Sequence, residues 1–129
     1  MADPSYPSDL LYHAEHDWAR VEGETATFGV TWYAQDALGE VVFFDPPKVG
    51  AQISKDQPYT EVESVKAVSD VIAPLSGEIV EVNETLAQTP EKINEDPYGE
   101  GWLVKVRLSD PSEAESLMSA SDYEATLES

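Results

Sequence analysis

The sequence predicts a mainly β fold of two small antiparallel sheets, with an added N-terminal hairpin and short helices that include a C-terminal one. Three observations predict it. Residues 59–65 and 68–73 are rich in β-branched and aromatic residues and flank Lys66, so they read as the arms of a hairpin. Residues 102–108 set Trp102, Val104, Val106 and Leu108 against Leu103, Lys105 and Arg107, the alternation of a strand whose first set faces a core. Pro47-Lys48-Val49-Gly50-Ala51-Gln52-Ile53 is echoed by Pro74-Leu75-Ser76-Gly77-Glu78-Ile79-Val80, each a proline-to-glycine turn opening a β-branched run. Two related strand-turn units on either side of a hairpin suit a pair of packed sheets with approximate two-fold symmetry. At 129 residues the chain has the length of one domain, 1–129, able to bury a core but short for separate substrate and cofactor domains.

In chain order, residues 1–9, with Pro4 and Pro7, read as a flexible lead-in. Residues 18–21 and 25–31 form a hairpin about Glu22-Gly23-Glu24. Thr31 then caps a short helix that Gly39 stops, with Tyr33, Ala37 and Leu38 turned inward. Strand returns over residues 40–44 until Asp45-Pro46-Pro47 breaks it. The Lys66 hairpin occupies about residues 59–73. Asn83 caps another short helix that ends before Pro90, and residues 94–101 are loop by composition. Asp110-Pro111-Ser112-Glu113 opens a C-terminal helical region over about residues 111–127, with Ala114, Leu117 and Met118 on one face and an acidic tail behind it. The tryptophans and most other aromatics read as core.

Within the hairpin, Val62 and Ser64 share one face and Glu61, Glu63 and Val65 the other, so a reversal at Lys66 projects its side chain into water. A lysine at a strand turn ordinarily solubilises an edge, and the local pattern alone goes no further than that.

Asp and Glu outnumber Lys and Arg 26 to 7, for a formal charge of −19. That balance argues against nucleic-acid backbones and anionic lipid as partners, and calls for positive or neutral protein surfaces. The absence of cysteine excludes disulfides, Cys-based metal sites and thiol nucleophiles. His13 and His16 are the imidazoles, so a zinc site would need carboxylates to complete it. Arg20 is the first basic residue, so the amino terminus lacks the character of a secretory signal or a transit peptide, and no apolar run reaches transmembrane length. With Met1 retained, a bacterial cytoplasmic location is expected, a processed mitochondrial form being the alternative.

The stretch Glu63-Ser64-Val65-Lys66-Ala67 resembles the lipoyl-attachment motif of the glycine cleavage H-protein family. The resemblance runs from about residue 12 to 123, through Gly29-Val30-Thr31, Ala34-Gln35-Asp36, Leu38-Gly39-Glu40, Ala73-Pro74, Ser76-Gly77, Asn83-Glu84, Asn94, Pro97-Tyr98-Gly99-Glu100-Gly101-Trp102 and Leu117-Met118. Lipoyl domains of 2-oxoacid dehydrogenases usually carry Asp-Lys-Ala and biotin carriers Met-Lys-Met; Val65-Lys66-Ala67 fits neither.

The resemblance implies the barrel-sandwich hybrid of lipoyl and biotinyl carriers, and a non-enzymatic shuttle. Lipoate would be joined as an amide to Lys66, flanked by Glu63, Ser64, Val65, Ala67 and Asp70, with the cofactor supplying the chemistry and the protein its tether. Glycine decarboxylase would load an aminomethyl group, a tetrahydrofolate-dependent aminomethyltransferase would unload it, and dihydrolipoyl dehydrogenase would reoxidise the dithiol. A lipoate-attaching enzyme must reach the lysine, and Glu61, Glu63 and Asp70 are either guides for a basic ligase surface or ordinary surface carboxylates. A cysteine-free carrier also cannot trap a dithiol arm as an internal mixed disulfide.

The family folds its loaded arm into a cleft on the carrier, which the resemblance assigns to His16 and Asp17, with Asp70 as a further candidate. The family has His-Glu-Trp where this chain has His16-Asp17-Trp18, one methylene shorter, and a local turn hydrogen bond is the competing reading for this pair. Two other functions fit the same sequence: an H-like relay that donates lipoyl groups to other carrier domains, and an unmodified protein-binding module. In every case a monomer without nucleic acid or membrane partners is expected.

Overall fold

The structure is a computed structural model that describes residues 6–127. Its strands are β1 (Leu11–His13), β2 (Asp17–Glu22), β3 (Thr25–Val30), β4 (Val41–Asp45), β5 (Gln52–Ile53), β6 (Pro58–Ser64), β7 (Val68–Ile72), β8 (Gly77–Val82) and β9 (Val104–Leu108). The α-helices are α1 (Trp32–Leu38), α2 (Lys92–Glu95) and α3 (Ala120–Leu127), and short 3-10 helices cover Glu84–Ala87 and Pro111–Ser116.

The turn residues act where expected. Gly23 takes φ +67°, closing β2 onto β3, with β1 added outside so that Tyr12 lies opposite Trp18. The echoed segments become neighbours: β5 pairs with β8, the Gly50 N–H donates to the Ile79 carbonyl at 2.7 Å, and the Ile79 N–H donates to Ala51 at 2.9 Å. The result is a six-stranded sheet ordered β1-β2-β3-β9-β8-β5 facing a three-stranded sheet ordered β4-β6-β7. Both are antiparallel, and among the described residues neither closes into a barrel. Two-fold symmetry is only local, because the N-terminal hairpin enlarges one sheet and not the other.

Alternation sorts the faces. Phe28, Val41, Phe44, Val62, Val71, Ile79, Val104 and Val106 point between the sheets and form the main core. A second cluster of Leu10, Tyr12, Trp18, Ala120 and Tyr123 lies where α3 packs on β1, with the Tyr12 and Tyr123 rings stacked 4.9 Å apart.

Several expectations are corrected. Tyr33 and Ala37 do not turn inward: both are exposed, and the buried residue of α1 is Gln35, whose amide accepts a hydrogen bond from Asn94. Leu103 is fully buried and Trp102 only half-buried, because the strand begins at Val104 and the chain before it has not settled into a two-residue repeat. Asn94 and Glu95 belong to α2 and not to a loop. Met118 does not lie on a helix face: it bridges to Tyr12, with both backbone hydrogen bonds at 2.8 Å, so the C-terminal helical region comes as two short helices. Within the lead-in, Tyr6 packs edge-on against Tyr12 and Tyr123, and the Tyr12 hydroxyl donates to the Pro7 carbonyl at 2.7 Å. Residues 1–5 of that lead-in, and Glu128 and Ser129 of the acidic tail, lie outside the described residues. Among the described residues no helix is long and apolar enough to cross a membrane.

Gly29 is required by close packing. A Cβ there would meet the Trp18 ring at 2.5 Å, and the ring is tied down by its Nε1–H, which donates to Pro97 at 2.9 Å. Gly29→Ala is therefore expected to cost about 1–3 kcal/mol of stability through overpacking. Thermal denaturation measures it, and an unchanged melting temperature would mean that the indole has room to move.

Candidate functional site

The Lys66 turn is built by Ser64. Its N–H donates to the Ala67 carbonyl at 2.8 Å, and its Oγ accepts from the Lys66 and Ala67 N–H groups at 3.3 and 3.1 Å. A serine hydroxyl thus does what an Asn-Gly pair does elsewhere, leaving Val65, Lys66 and Ala67 exposed at the tip. The Val65 N–H donates to the Glu40 carbonyl at 3.0 Å, holding the tip against the corner after α1. Lys66 crosses that corner: a Cβ on Gly39 would lie 3.4 Å from its Cε, so glycine leaves space for the methylenes as well as taking φ +80°.

Beside the turn is a cleft of about 330 Å³ between the β1–β2 turn, α1 and β7. It brings together His16, Asp17, Ala67 and Asp70, all expected at the site. It does not include Glu63, Ser64 or Val65, which build or flank the tip. Tyr33, Ala37, Leu38 and Glu15 also line it and were not anticipated. The signal for the first two was present: an aromatic and an alanine four apart on a helix, on a face that the main core does not fill.

The β1–β2 turn is fixed from both sides. His13 Nδ1 accepts from the Glu15 N–H at 3.0 Å, so its Nε2–H faces Asp56 Oδ1, 2.6 Å away, and this bond holds the Asp56 carboxyl below the usual carboxylate range. His16 sits at φ 73° with its N–H on the His13 carbonyl, while its own carbonyl accepts from Thr31 at 3.1 Å. The local turn hydrogen bond and the cleft position therefore coexist. His16 Nδ1 shares a hydrogen bond with the Tyr123 hydroxyl at 2.7 Å, which also meets Thr31 Oγ1 at 2.8 Å. Burial keeps the His16 imidazole below its ordinary value, favouring the neutral ring.

Asp17 is 2 % exposed, and its Oδ2 is buried without a hydrogen-bond partner. Burial, aided by the nearby Glu15 charge, pushes its carboxyl well above the usual range. With apolar walls at Val30, Leu38 and Val71, the cleft suits a hydrocarbon chain ending in a cationic or hydrogen-bond-donating group. Among the described residues no group of three or more His, Asp or Glu side chains is arranged to hold a metal ion.

Known proteins resemble this chain over nearly its whole length. The family model described as glycine cleavage H-protein matches residues 10–129. The glycine cleavage system H protein of Symbiobacterium thermophilum is 51% identical over 119 residues, covering 92% of this chain and 93% of that protein. The protein of the same name from Bacillus subtilis is 52% identical over 120 residues, 93% of this chain and 94% of its own. The crystal structure of a glycine cleavage system H protein from Mycobacterium marinum superposes with a TM-score of 0.87 at 40% identity, covering 96% of this chain and all of that one.

The Asp17 carboxyl carries a pH signature. Because its folded-state value lies above the unfolded 3.8, the folded chain keeps a proton that the unfolded chain gives up. The stability linked to that proton is complete below about pH 3.8 and drains away as the pH rises through the folded-state value. Asp17→Asn, which keeps the shape without the charge, is expected to outlast the parent protein in urea at pH 7, with the gap closing as the pH approaches 3.8. A gap independent of pH would mean that Asp17 is ionised in the fold.

Proposed function

We propose that this chain, which belongs to the glycine cleavage H-protein family, carries its lipoyl group on Lys66. The role is that of the lipoyl carrier of the glycine cleavage system. The observation that carries the assignment to Lys66 is geometric: an exposed lysine at the tip of a serine-tied turn, beside a cleft with apolar walls and carboxyls. When bound, lipoate supplies a dithiolane on a flexible tether, able to take up an aminomethyl group and to be reduced and reoxidised.

What the chain's own residues do follows from their positions. Ser64 keeps the tip in one conformation, so the tether starts from a fixed point and its free end samples a small volume at high effective concentration. Val30, Leu38 and Val71 cover hydrocarbon and keep bulk water from it, while Asp17 and Asp70 lie where an amine-bearing end can meet them. His16, neutral and tied to Tyr123, holds the turn that carries Asp17 and adds no competing charge. Asp17, one methylene shorter than the family's glutamate and buried in the wall, leaves Asp70 on β7 and Glu15 on the β1–β2 turn, both exposed, as the cleft carboxylates with reach. Glycine decarboxylase, the aminomethyltransferase, dihydrolipoyl dehydrogenase and a lipoate-attaching enzyme are the partners of this reading, and the chain itself is not catalytic.

Intact mass and peptide mapping of the protein from its own host test the assignment. A lipoyl increment on Lys66, absent from Lys66→Ala, is the expected result; an unmodified Lys66 in a host whose other lipoyl domains are modified would leave a binding module. Asp70→Asn is expected to lipoylate normally but to lose its amine from the loaded arm roughly tenfold faster, the loss of one charge-assisted hydrogen bond of about 1.5 kcal/mol. Release kinetics followed by mass spectrometry measure this.

A further inference from the structure

Helix α1 has two working faces. Tyr33, Ala34, Ala37 and Leu38 line the cleft described above, whereas Gln35, Asp36 and Gly39 line a second hollow of about 460 Å³, closed on its far side by Glu91, Asn94 and Glu95. Lys66 lies at the C-terminal end of the same helix, its methylenes over Gly39 on the rim of this second hollow. One face of α1 is thus committed to the arm after attachment, and the other adjoins the lysine that must first be reached.

The chemistry of the hollow is specific. Asp36, Glu40, Glu91 and Glu95 surround it. Lys66 on the rim makes no ion pair among the described residues, and Lys92 on α2 is drawn to Glu95 at 3.5 Å and Glu100 at 3.8 Å, leaving Asp36, Glu40 and Glu91 without an ion pair among the described residues. On the floor, Gln35 is 1% exposed; its Oε1 accepts from Asn94 Nδ2 at 3.1 Å, but its Nε2 has no partner. A buried amide donor without an acceptor is an unmet demand that a ligand can fill. The occupant therefore needs positive charge for the rim and an uncharged acceptor for the floor. A bare cation lacks the acceptor, and nucleic acid or anionic lipid has the wrong charge. A protein loop with Lys or Arg side chains and a main-chain carbonyl supplies both.

We infer that this hollow is a docking socket for a basic loop of the enzyme that acylates Lys66. The inference rests on the carrier reading and extends it to a surface outside the arm cleft and outside the lysine motif. The socket itself takes no part in bond making. In the acylation it serves, the Lys66 amine attacks an activated lipoyl ester, the amide C–N bond forms as the activating group leaves with its bonding pair, and the amine's proton passes to solvent. Seating a loop on the rim beside Gly39 fixes the approach of that ester to Nζ.

The full-length chain, acylated by a purified lipoate–protein ligase with lipoate and ATP, provides the test. One variant neutralises the socket (Asp36→Asn, Glu91→Gln, Glu95→Gln), and a charge-matched control neutralises exposed carboxylates elsewhere (Glu22→Gln, Glu24→Gln, Glu115→Gln). The socket variant is expected to lose about tenfold in kcat/KM, mainly through KM, and to become less sensitive to salt between about 50 and 300 mM, while the control stays within about twofold of the parent. Equal losses in both variants, or none in either, would overturn the socket and leave the carrier reading intact. Failure of the parent chain to accept lipoate at Lys66 would overturn both. Thermal melts check that all three proteins are equally folded, and all the altered carboxylates are at least partly exposed.

Discussion

The position of Lys66 depends on one side-chain amide, that of Asn94. Where α1 ends and β4 begins, the chain turns through Gly39 and leaves polar groups that neither element can use. Asn94 takes both ends of that corner: its Oδ1 accepts from the Val41 N–H at 2.8 Å, and its Nδ2 donates to the Gly39 carbonyl at 2.8 Å. Between them, the Glu40 carbonyl is left pointing at the lysine turn and accepts from Val65. The chain of support therefore runs from α2 through the corner to the tip of the β6–β7 hairpin. A single amide with two donors and two acceptor sites is the side chain suited to this, since a carboxylate would repel the Gly39 carbonyl.

The same corner explains why α1 is so short and so unlike an ordinary amphipathic helix. Seven residues cannot hold a core by themselves, and the one buried side chain is polar. The helix is held by its ends, with Thr31 Oγ1 accepting from Ala34 at 3.2 Å and the Gly39 N–H donating to Gln35 at 3.0 Å. Its sides are left free to be walls. Asp17 shows the cost of building such a wall: a carboxyl at the edge of the core, near a Tyr59 hydroxyl that its own burial, and then the Asp17 charge, pushes up, with neither group fully satisfied. Unmet polar groups at Asp17 and Gln35 mark the two hollows, which is where local rules of stability give way to binding.

Much of this was legible in the residues. Gly23, Asn83 and Gly39 lie at the turns and caps their chemistry predicts, and the lysine hairpin stands where its β-branched arms put it. What was hidden is what depends on partners far away in the chain. Tyr33 and Ala37 read as core because a periodic apolar face usually is, and only the placement of β7 turns that face into a cleft. Met118 reads as helix by spacing, but its backbone is claimed by Tyr12, more than a hundred residues earlier. Asn94 reads as loop by composition because short polar segments near proline and glycine usually are loops, and its role appears only once α1 and β4 are brought to it.

Charge singles out the lysine more sharply than composition does. The chain has 7 Lys and Arg against 26 acidic residues, and most of the cations are engaged away from the small sheet. Arg20 donates to the Tyr98 carbonyl and lies over Trp18, Lys55 meets Asp56, Lys92 joins Glu95 and Glu100, and Lys105 and Arg107 pair with Glu81 and Glu78 across β8 and β9. The small sheet has the opposite pattern: Asp45, Glu61 and Asp70 lie abreast on its three strands, exposed and without an ion pair among the described residues. Like charges in register across strands oppose pairing, so this sheet is held by its inner face, where Phe44 and Val62 are buried, and by the turn and corner at its end. An outer face relieved of a structural role can display one amine in a field of carboxylates. A partner with a basic surface is steered to that amine, while Lys48, without an ion pair among the described residues but on the loop after β4, has neither the ordered turn nor the cleft beside it.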